Sequence, residues 1–312
     1  MGVPYKALPA SVAGVCEVEV VRGAAAAPEA GPDALFECAH GATRASDFDG
    51  LRGALRGSYG DGLRDFFFVN TDVGSAELAR AAACALVAAQ PARTACVVRC
   101  LLPRTFVDCN RKVDRDAVPT ASKPGEMTPG LQPWVQDPAD RRLLLDRYFA
   151  YRDAVERAFA ATAAANGVAL FVHTYAPRSI DVAVDERIGE RLRAAYAADR
   201  IGSWPLRPEV DLITRTPEGL ELASPPMVAA AQPAFAAAGF GVQQNATYPL
   251  HPVTLAHHFA AQRPAATLCL EVRRDLLVPA FTPFVELHPD AALVARAAAP
   301  LAAAALAGLE VR

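Results

Sequence analysis

The sequence predicts an α/β fold: a single domain with a mixed central sheet sandwiched between helices. Three observations predict it. Apolar runs of strand length recur at 34–39, 95–102, 168–172 and 266–272. Segments of helical character alternate with them, at 76–90, 141–165, 186–198 and 252–261, as expected for a sheet covered on both faces. No internal repeat or linker-like change of composition divides the 312 residues, a length that one large α/β domain accommodates.

The first strand is predicted at 11–21, where apolar and polar residues alternate. An Ala/Pro/Gly connection at 23–32 leads to a second strand at 34–39, ending at His40-Gly41. The glycine-rich, charged stretch 48–62 reads as loop with one helical turn, and 66–70 as a short aromatic run. Alanine-rich 76–90 predicts a helix with Glu77 and Arg80 outward. A strand at 95–102 follows, then an edge strand or extended loop at 106–109. Segment 118–138 holds many of the prolines and glycines and has little periodicity. Long irregular loops inside compact domains are usually functional, so 117–140 is expected to overhang the site as a lid.

The longest helix is predicted at 141–165, with an apolar stripe through Leu144, Leu145, Tyr148, Val155 and Phe159 and a cap at Asn166-Gly167. The next strand then runs into His173, with loop expected from Thr174 onward because Pro177 follows. A helix at 186–198, a strand at 210–213 and a helix at 228–238 kinked by Pro233 come next. The helix at 252–261 carries His257 and His258, the strand at 266–272 carries Glu271, and a last helix follows His288.

Composition narrows the function. Hydrophobic residues are 52% of the chain and the net charge is −3. No basic stripe is present, so nucleic acid is not an expected partner. The seven cysteines are odd in number and form no Cys-x-x-Cys pair, which fits buried thiols in a reducing, cytoplasmic compartment. Residues 1–22 lack the pattern of a signal peptide. The alanine-rich run 291–309 is interrupted by Arg296 and Pro300 and reads as a buried or amphipathic helix, so no membrane association is expected.

His173 sits where a buried strand should end, the edge at which open α/β sheets bind ligands. It is a candidate metal ligand, and His40, also at a strand end, is a candidate second. Catalytic zinc commonly takes three protein ligands from histidine and carboxylate, and Asp47, Asp49 and Asp72 are the candidate carboxylates, although any one of them alone reads first as a helix cap or solvated loop residue. Arg104 and Arg111 could grip a carboxylate through paired N–H donors, with a surface ion-pair cluster as the alternative. Glu271 lies among apolar neighbours, where a carboxylate is costly to bury. It either pairs with Arg273 or Arg274, or acts as a general base beside a metal. His251, His257, His258 and Tyr248 are further candidates for substrate contact, with a solvated helix face or packed tyrosine as the alternative. Cys269 lacks the polar setting of a nucleophile.

These residues occur in a recognisable order: His40-Gly41, Thr71-Asp72 before a helix, Arg104 with Asp108-Cys109-Asn110-Arg111, Thr128-Pro129-Gly130-Leu131, His173-Thr174-Tyr175 with Arg178-Ser179, and Leu270-Glu271. Together they resemble the N-formylglutamate amidohydrolase family, itself similar to the zinc carboxypeptidases and aspartoacylase. The similarity spans roughly 35–278. The resemblance implies a zinc-carboxypeptidase-like fold and one Zn2+ held by His40, His173 and Asp72. It implies Arg104 as the group that polarises the scissile carbonyl and Glu271 as the general base. Asn110, Arg111 and Arg178 would bind a small-molecule carboxylate substrate. The implied reaction is removal of an N-acyl, formyl-like group from a small acidic amino acid. The first motif departs from the family: Cys-Ala-His-Gly-Ala-Thr stands in place of Pro-His-Thr-Gly. Thr43 also occupies the position where carboxypeptidases and aspartoacylase carry a glutamate. A deacylase or carboxypeptidase of other specificity, and a non-catalytic carboxylate-binding homologue, are therefore the alternatives.

Overall fold

The computed structural model describes residues 8–312; the first seven residues of the segment read as lacking a signal peptide lie outside the described residues. In chain order the elements are β1 (Cys16–Arg22), β2 (Ala34–Cys38), α1 (Ala45–Ala54), α2 (Gly62–Asn70), α3 (Ser75–Ala89) and β3 (Thr94–Cys100). Next come α4 (Pro138–Ala164), β4 (Val168–Tyr175), α5 (Ile188–Ala195), β5 (Val210–Ile213), α6 (Pro225–Ala237) and β6 (Val242–Gln244). The chain closes with α7 (Leu255–Gln262), β7 (Thr267–Arg273) and α8 (Ala291–Glu310). The strands form one mixed sheet ordered β1-β3-β2-β4-β7-β5-β6. Strands β3, β2, β4 and β7 are parallel, while β1 and β5 run antiparallel to β3 and β7.

Both faces of the sheet are covered, which explains why the central strands read as unbroken apolar runs. On one face Phe36, Leu170 and Leu270 pack with residues of α3, α6 and α8. On the other, Leu35, Phe171 and Cys269 join α4, α7 and the aromatic residues of α2. Helix α4 starts where Asp137 accepts hydrogen bonds from the amides of Ala139 and Asp140, with Pro138 in the first turn. Beyond its C-cap Ala165, Asn166 turns into the left-handed region at φ 56°. Gly167 follows because a Cβ there would lie 2.2 Å from the carbonyl oxygen of Asp33. Helix α8 has a mean hydropathy of 1.7, enough for a membrane span, yet 56% of that window is buried and the helix packs against α3 and α6.

Several local expectations are corrected. Residues 45–54 form a helix rather than a loop, because Phe48 and Leu51 point into the core and Gly50 and Gly53 face open space. The aromatic run 66–70 is the end of α2, which buries Leu63, Phe66 and Phe67 at helical spacing. Here packing overrides weak intrinsic propensity. Strand β4 continues through Tyr175, two residues beyond the expected end. Helix α6 runs through Pro233 as one element. The three-residue edge strand β6, largely exposed, had no apolar signature to announce it.

Candidate metal centre and active-site cavity

The carboxyl ends of β2, β4 and β7 lie side by side at the middle of the sheet. Side chains alternate along a strand, so His173 and Glu271 face the same side as Phe171 and Cys269. They are direct partners in the β4–β7 register. His40 lies two residues beyond the end of β2, and its ring centroid is 5.1 Å from that of His173.

Asp72 enters from the turn between α2 and α3. Gly74 makes that turn at φ 87°, a conformation that favours glycine. Thr71 ties the turn down by donating to the Ala42 carbonyl at 2.6 Å, and Thr174 donates to the Val73 carbonyl at 2.9 Å. Asp72 Oδ2 is thereby held 3.3 Å from His40 Nδ1 and 3.1 Å from His173 Nδ1. All three side chains are at most 5% exposed.

Burial alone would raise the Asp72 carboxyl, but the two imidazoles hold it far below the ordinary range. Burial pushes the His173 imidazole down. The hydrogen bond to Asp72 and the negative fields of Glu271 and Asp72 outweigh that, leaving it raised to about 9. One donor atom from each residue lies within 4.8 Å of the others. Donors about 2.0–2.2 Å from a tetrahedral ion stand roughly 3.3–3.6 Å apart, close to the spacings from Asp72 to the two rings. These residues could hold a metal ion. Asp47 and Asp49 take the structural reading: Asp47 accepts from the amides of Thr43 and Arg44, and Asp49 pairs with Arg64.

Behind His40 lies a carboxylate to which sequence reasoning gave no role. Asp108 is fully buried and accepts from His40 Nε2 at 2.7 Å, from Arg104 Nη2 at 2.9 Å and from the Asn110 amide at 2.9 Å. Burial opposes its charge, but Arg104, Arg111 and His40 hold the carboxyl well below its usual value. A carboxylate on the second nitrogen of a ligating histidine fixes the tautomer and raises its basicity. The signal was present in the 104–111 stretch as an aspartate between Val107 and Cys109. Glu37 was also missed. It is buried beneath the site on β2 and accepts a hydrogen bond from the Tyr151 hydroxyl of α4.

Glu271 Oε2 is buried and has no partner among the described residues. The ion pair envisaged for it does not form: Arg273 instead bonds Asp275 at 2.9 Å. Burial drives the carboxyl up to about 7. His173 resists the rise and Asp72 reinforces it.

One cavity of about 550 Å³ is bordered by His40, Asp72, Arg104, Asn110, Arg111, His173, Arg178 and Glu271. These eight residues therefore border one cavity, whereas the other candidates Asp47, Asp49, His257 and His258 lie outside it. Arg104 Nε is buried without a partner. The Asn110 amide is 3.4 Å from His173 Nε2. Arg111 is held by Thr128, donating to its carbonyl and its hydroxyl, each at 2.9 Å. Arg178 donates to the Trp204 carbonyl at 2.6 Å. Tyr248 and His251 also line the cavity, whereas His257 and His258 do not. Cys269 lines it too, with a thiol that burial pushes well above its ordinary value.

The sequence profile of the N-formylglutamate amidohydrolase family matches residues 65–278. Two solved structures are similar in fold. One is a gene product of Agrobacterium tumefaciens, 20% identical, with 94% of this chain and 95% of that chain covered and a TM-score of 0.53. The other is an N-formylglutamate amidohydrolase from Ralstonia eutropha, 18% identical, with 94% and 96% covered and a TM-score of 0.54. No curated protein matches the sequence. The matched span holds Asp72, Asp108, His173 and Glu271, and His40 precedes it. By that match the chain belongs to the N-formylglutamate amidohydrolase family, whose members hydrolyse amide bonds.

Proposed function

We propose that the protein is a zinc-dependent amidohydrolase that removes an N-acyl group, of formyl type, from a small acidic amino acid. The observation that carries this reading is the buried His40–Asp72–His173 cluster beside Glu271, an unpartnered carboxyl on the adjoining strand. Two imidazoles and one carboxylate are a common donor set of catalytic zinc. Asp72 also supplies, from another segment, the carboxylate that Thr43 lacks. Zinc, when bound, contributes electrophilic charge that lowers the pKa of water and polarises a carbonyl.

The chain's own residues do the rest. Asp108 holds the His40 ring with its Nδ1 toward Asp72. Glu271 accepts a proton at Oε2 from the attacking water and delivers it to the nitrogen of the departing amine. A carboxyl near pH 7 suits both transfers. Arg104 offers N–H donors to the acyl oxygen as charge develops on it. Asn110, Arg111 and Arg178 orient the substrate carboxylate. Segment 117–137 acts as a lid, the last three residues of the expected stretch being the first turn of α4: Ser122, Gly125 and Thr128 border the cavity, and the Arg111–Thr128 bonds fasten the lid to the substrate pole. The thiols are all free, and all but Cys84 are buried, which supports a cytoplasmic setting.

The test is turnover of N-formylglutamate against N-acetylglutamate and a dipeptide, with the Glu271→Gln variant as control. The expected result is hydrolysis of the formyl substrate, with kcat reduced about 10²- to 10⁴-fold in the variant while metal content is unchanged. A variant as active as the wild type overturns the role of Glu271. No hydrolysis of any acylated amino acid overturns the function.

A further inference from the structure

The cavity is larger than N-formylglutamate, a molecule of a dozen non-hydrogen atoms. Even at a water's share of liquid volume, roughly 30 Å³ per atom, that molecule fills about two-thirds of the 550 Å³. The remainder is room for about six further atoms at the same share.

An apolar strip borders this space. It consists of Val69 of α2, Ile188 and Leu192 of α5, Ile180 and Val182 of the loop before α5, and Met127 of the lid. The first three are buried, but Ile180 and Val182 are half-buried and Met127 is 39% exposed. Apolar surface is therefore left uncovered inside the cavity, as in sites that take an apolar ligand group. The strip is firmly built. A Cβ on Gly189 would lie 2.8 Å from Gly62 Cα, so α5 meets α2 backbone to backbone. Ser122 and Val184 exchange amide-to-carbonyl hydrogen bonds of 3.2 and 2.9 Å, tying the lid to the loop before α5. The acids along the strip are occupied: Asp181 accepts from the Gly125 amide at 2.9 Å and Glu126 from the Lys123 amide at 2.8 Å.

A carbonyl carbon has three substituents. In the proposed reaction its oxygen meets Arg104 and its nitrogen leads to the carboxylate at Asn110 and Arg111. Those residues follow β3, and the Asn110 side chain accepts from the Ala256 amide of α7 at 3.2 Å. The third substituent, only a hydrogen in a formyl group, is left for other elements to receive. The strip begins three residues before Asp72 in the chain, beside the candidate metal centre and on none of the elements that hold the other two substituents.

We propose that the strip is an acyl pocket, and that the enzyme has a second activity: hydrolysis of amino acids N-acylated with straight-chain acids of up to about seven carbons. The inference rests on the amidohydrolase reading. The bonds change as in deformylation. The oxygen of water joins the acyl carbon, the C–N bond breaks, and the proton from water passes through Glu271 to the leaving nitrogen. The products are a fatty acid carboxylate and the free amino acid.

Binding and turnover test this separately. Zinc-loaded Glu271→Gln, titrated by calorimetry, should bind N-hexanoylglutamate about 10- to 100-fold more tightly than N-acetylglutamate, at two- to fourfold per added methylene. Adding Val182→Glu, which places a charge on the strip, should reduce that preference to less than about threefold. Adding Leu192→Trp, which fills the strip, should do the same. If Leu192→Trp does not fold, Val182→Glu carries the test alone. Equal binding of the two ligands, or a preference that survives the substitutions, overturns the pocket. In the wild type, kcat/KM for N-hexanoylglutamate should exceed that for N-acetylglutamate by about 10- to 100-fold. A wild type that cleaves the acetyl compound faster overturns the second activity. Deformylation without any hexanoyl preference refutes the pocket and leaves the amidohydrolase reading standing. Hexanoyl preference in binding, in a protein that hydrolyses no acylated amino acid, does the reverse.

Discussion

Replacing Asp108 by asparagine keeps the shape of the side chain and removes its charge. The wild-type carboxylate accepts from three donors: His40 Nε2 and the Asn110 amide on Oδ1, and Arg104 Nη2 on Oδ2. A carboxamide has one acceptor oxygen, so its NH2 must face one of these donors. If the oxygen stays toward His40 and Asn110, Arg104 loses its bond and meets a second donor. If the amide turns over, His40 loses the acceptor that fixes its tautomer. Either way about one charge-assisted hydrogen bond is lost, worth roughly 1.5–3 kcal/mol. Loss of a carboxylate behind a ligating histidine typically lowers metal affinity about 10- to 100-fold. Zinc affinity of Asp108→Asn, measured by competition with a chromophoric chelator, should therefore fall by one to two orders of magnitude. Circular dichroism should report an unchanged fold. A folded variant with zinc affinity within about twofold of the wild type would show that Asp108 does not support the metal site, and the reasoning would fail.

Two further outcomes concern the scaffold. Asp140 is buried, and burial alone would raise its carboxyl. The amides of Arg56 and Gly57, both at 2.8 Å, and the Tyr59 hydroxyl outweigh that and hold it below the ordinary range. A carboxyl lowered on folding adds stability above its unfolded value of about 3.9, lost as pH falls through the folded one. Asp140→Asn should thus be less stable by about 1–3 kcal/mol at pH 7, with the gap closing toward pH 3 in urea unfolding. A gap that does not depend on pH would contradict the assignment. At Gly74, a Cβ would meet Leu277 Cδ1 at 2.7 Å, in addition to its φ of 87°. Gly74→Ala should lower stability by at least about 1–2 kcal/mol and weaken zinc binding by moving the Asp72 turn. Unfolding and metal binding both at wild-type values would refute that coupling.

The parts of the site that sequence reasoning reached were those with a local signature. His40 and His173 end apolar runs, and Glu271 interrupts one, so each stood out against its neighbours. Their meeting depends on β2, β4 and β7 being adjacent, an order that no single strand encodes. Asp72 is an ordinary turn residue until Thr71 and Thr174 bind the turn to the strand ends. The deep burial of Asp108 comes from packing, so its sequence context showed only a carboxylate between two apolar residues. Helix α1 was concealed by glycines that its exposed side tolerates, and α2 by an aromatic run whose helical spacing shows only from Leu63 onward.

The most direct test of the whole account is metal analysis of the purified protein and of His40→Ala and His173→Ala. The account predicts about one zinc per chain in the wild type and near-complete loss in each variant, although all three remain folded. Zinc retained in either variant, or a wild type that takes up no divalent metal when supplied with it, would contradict the claim that these two rings and Asp72 surround a single ion.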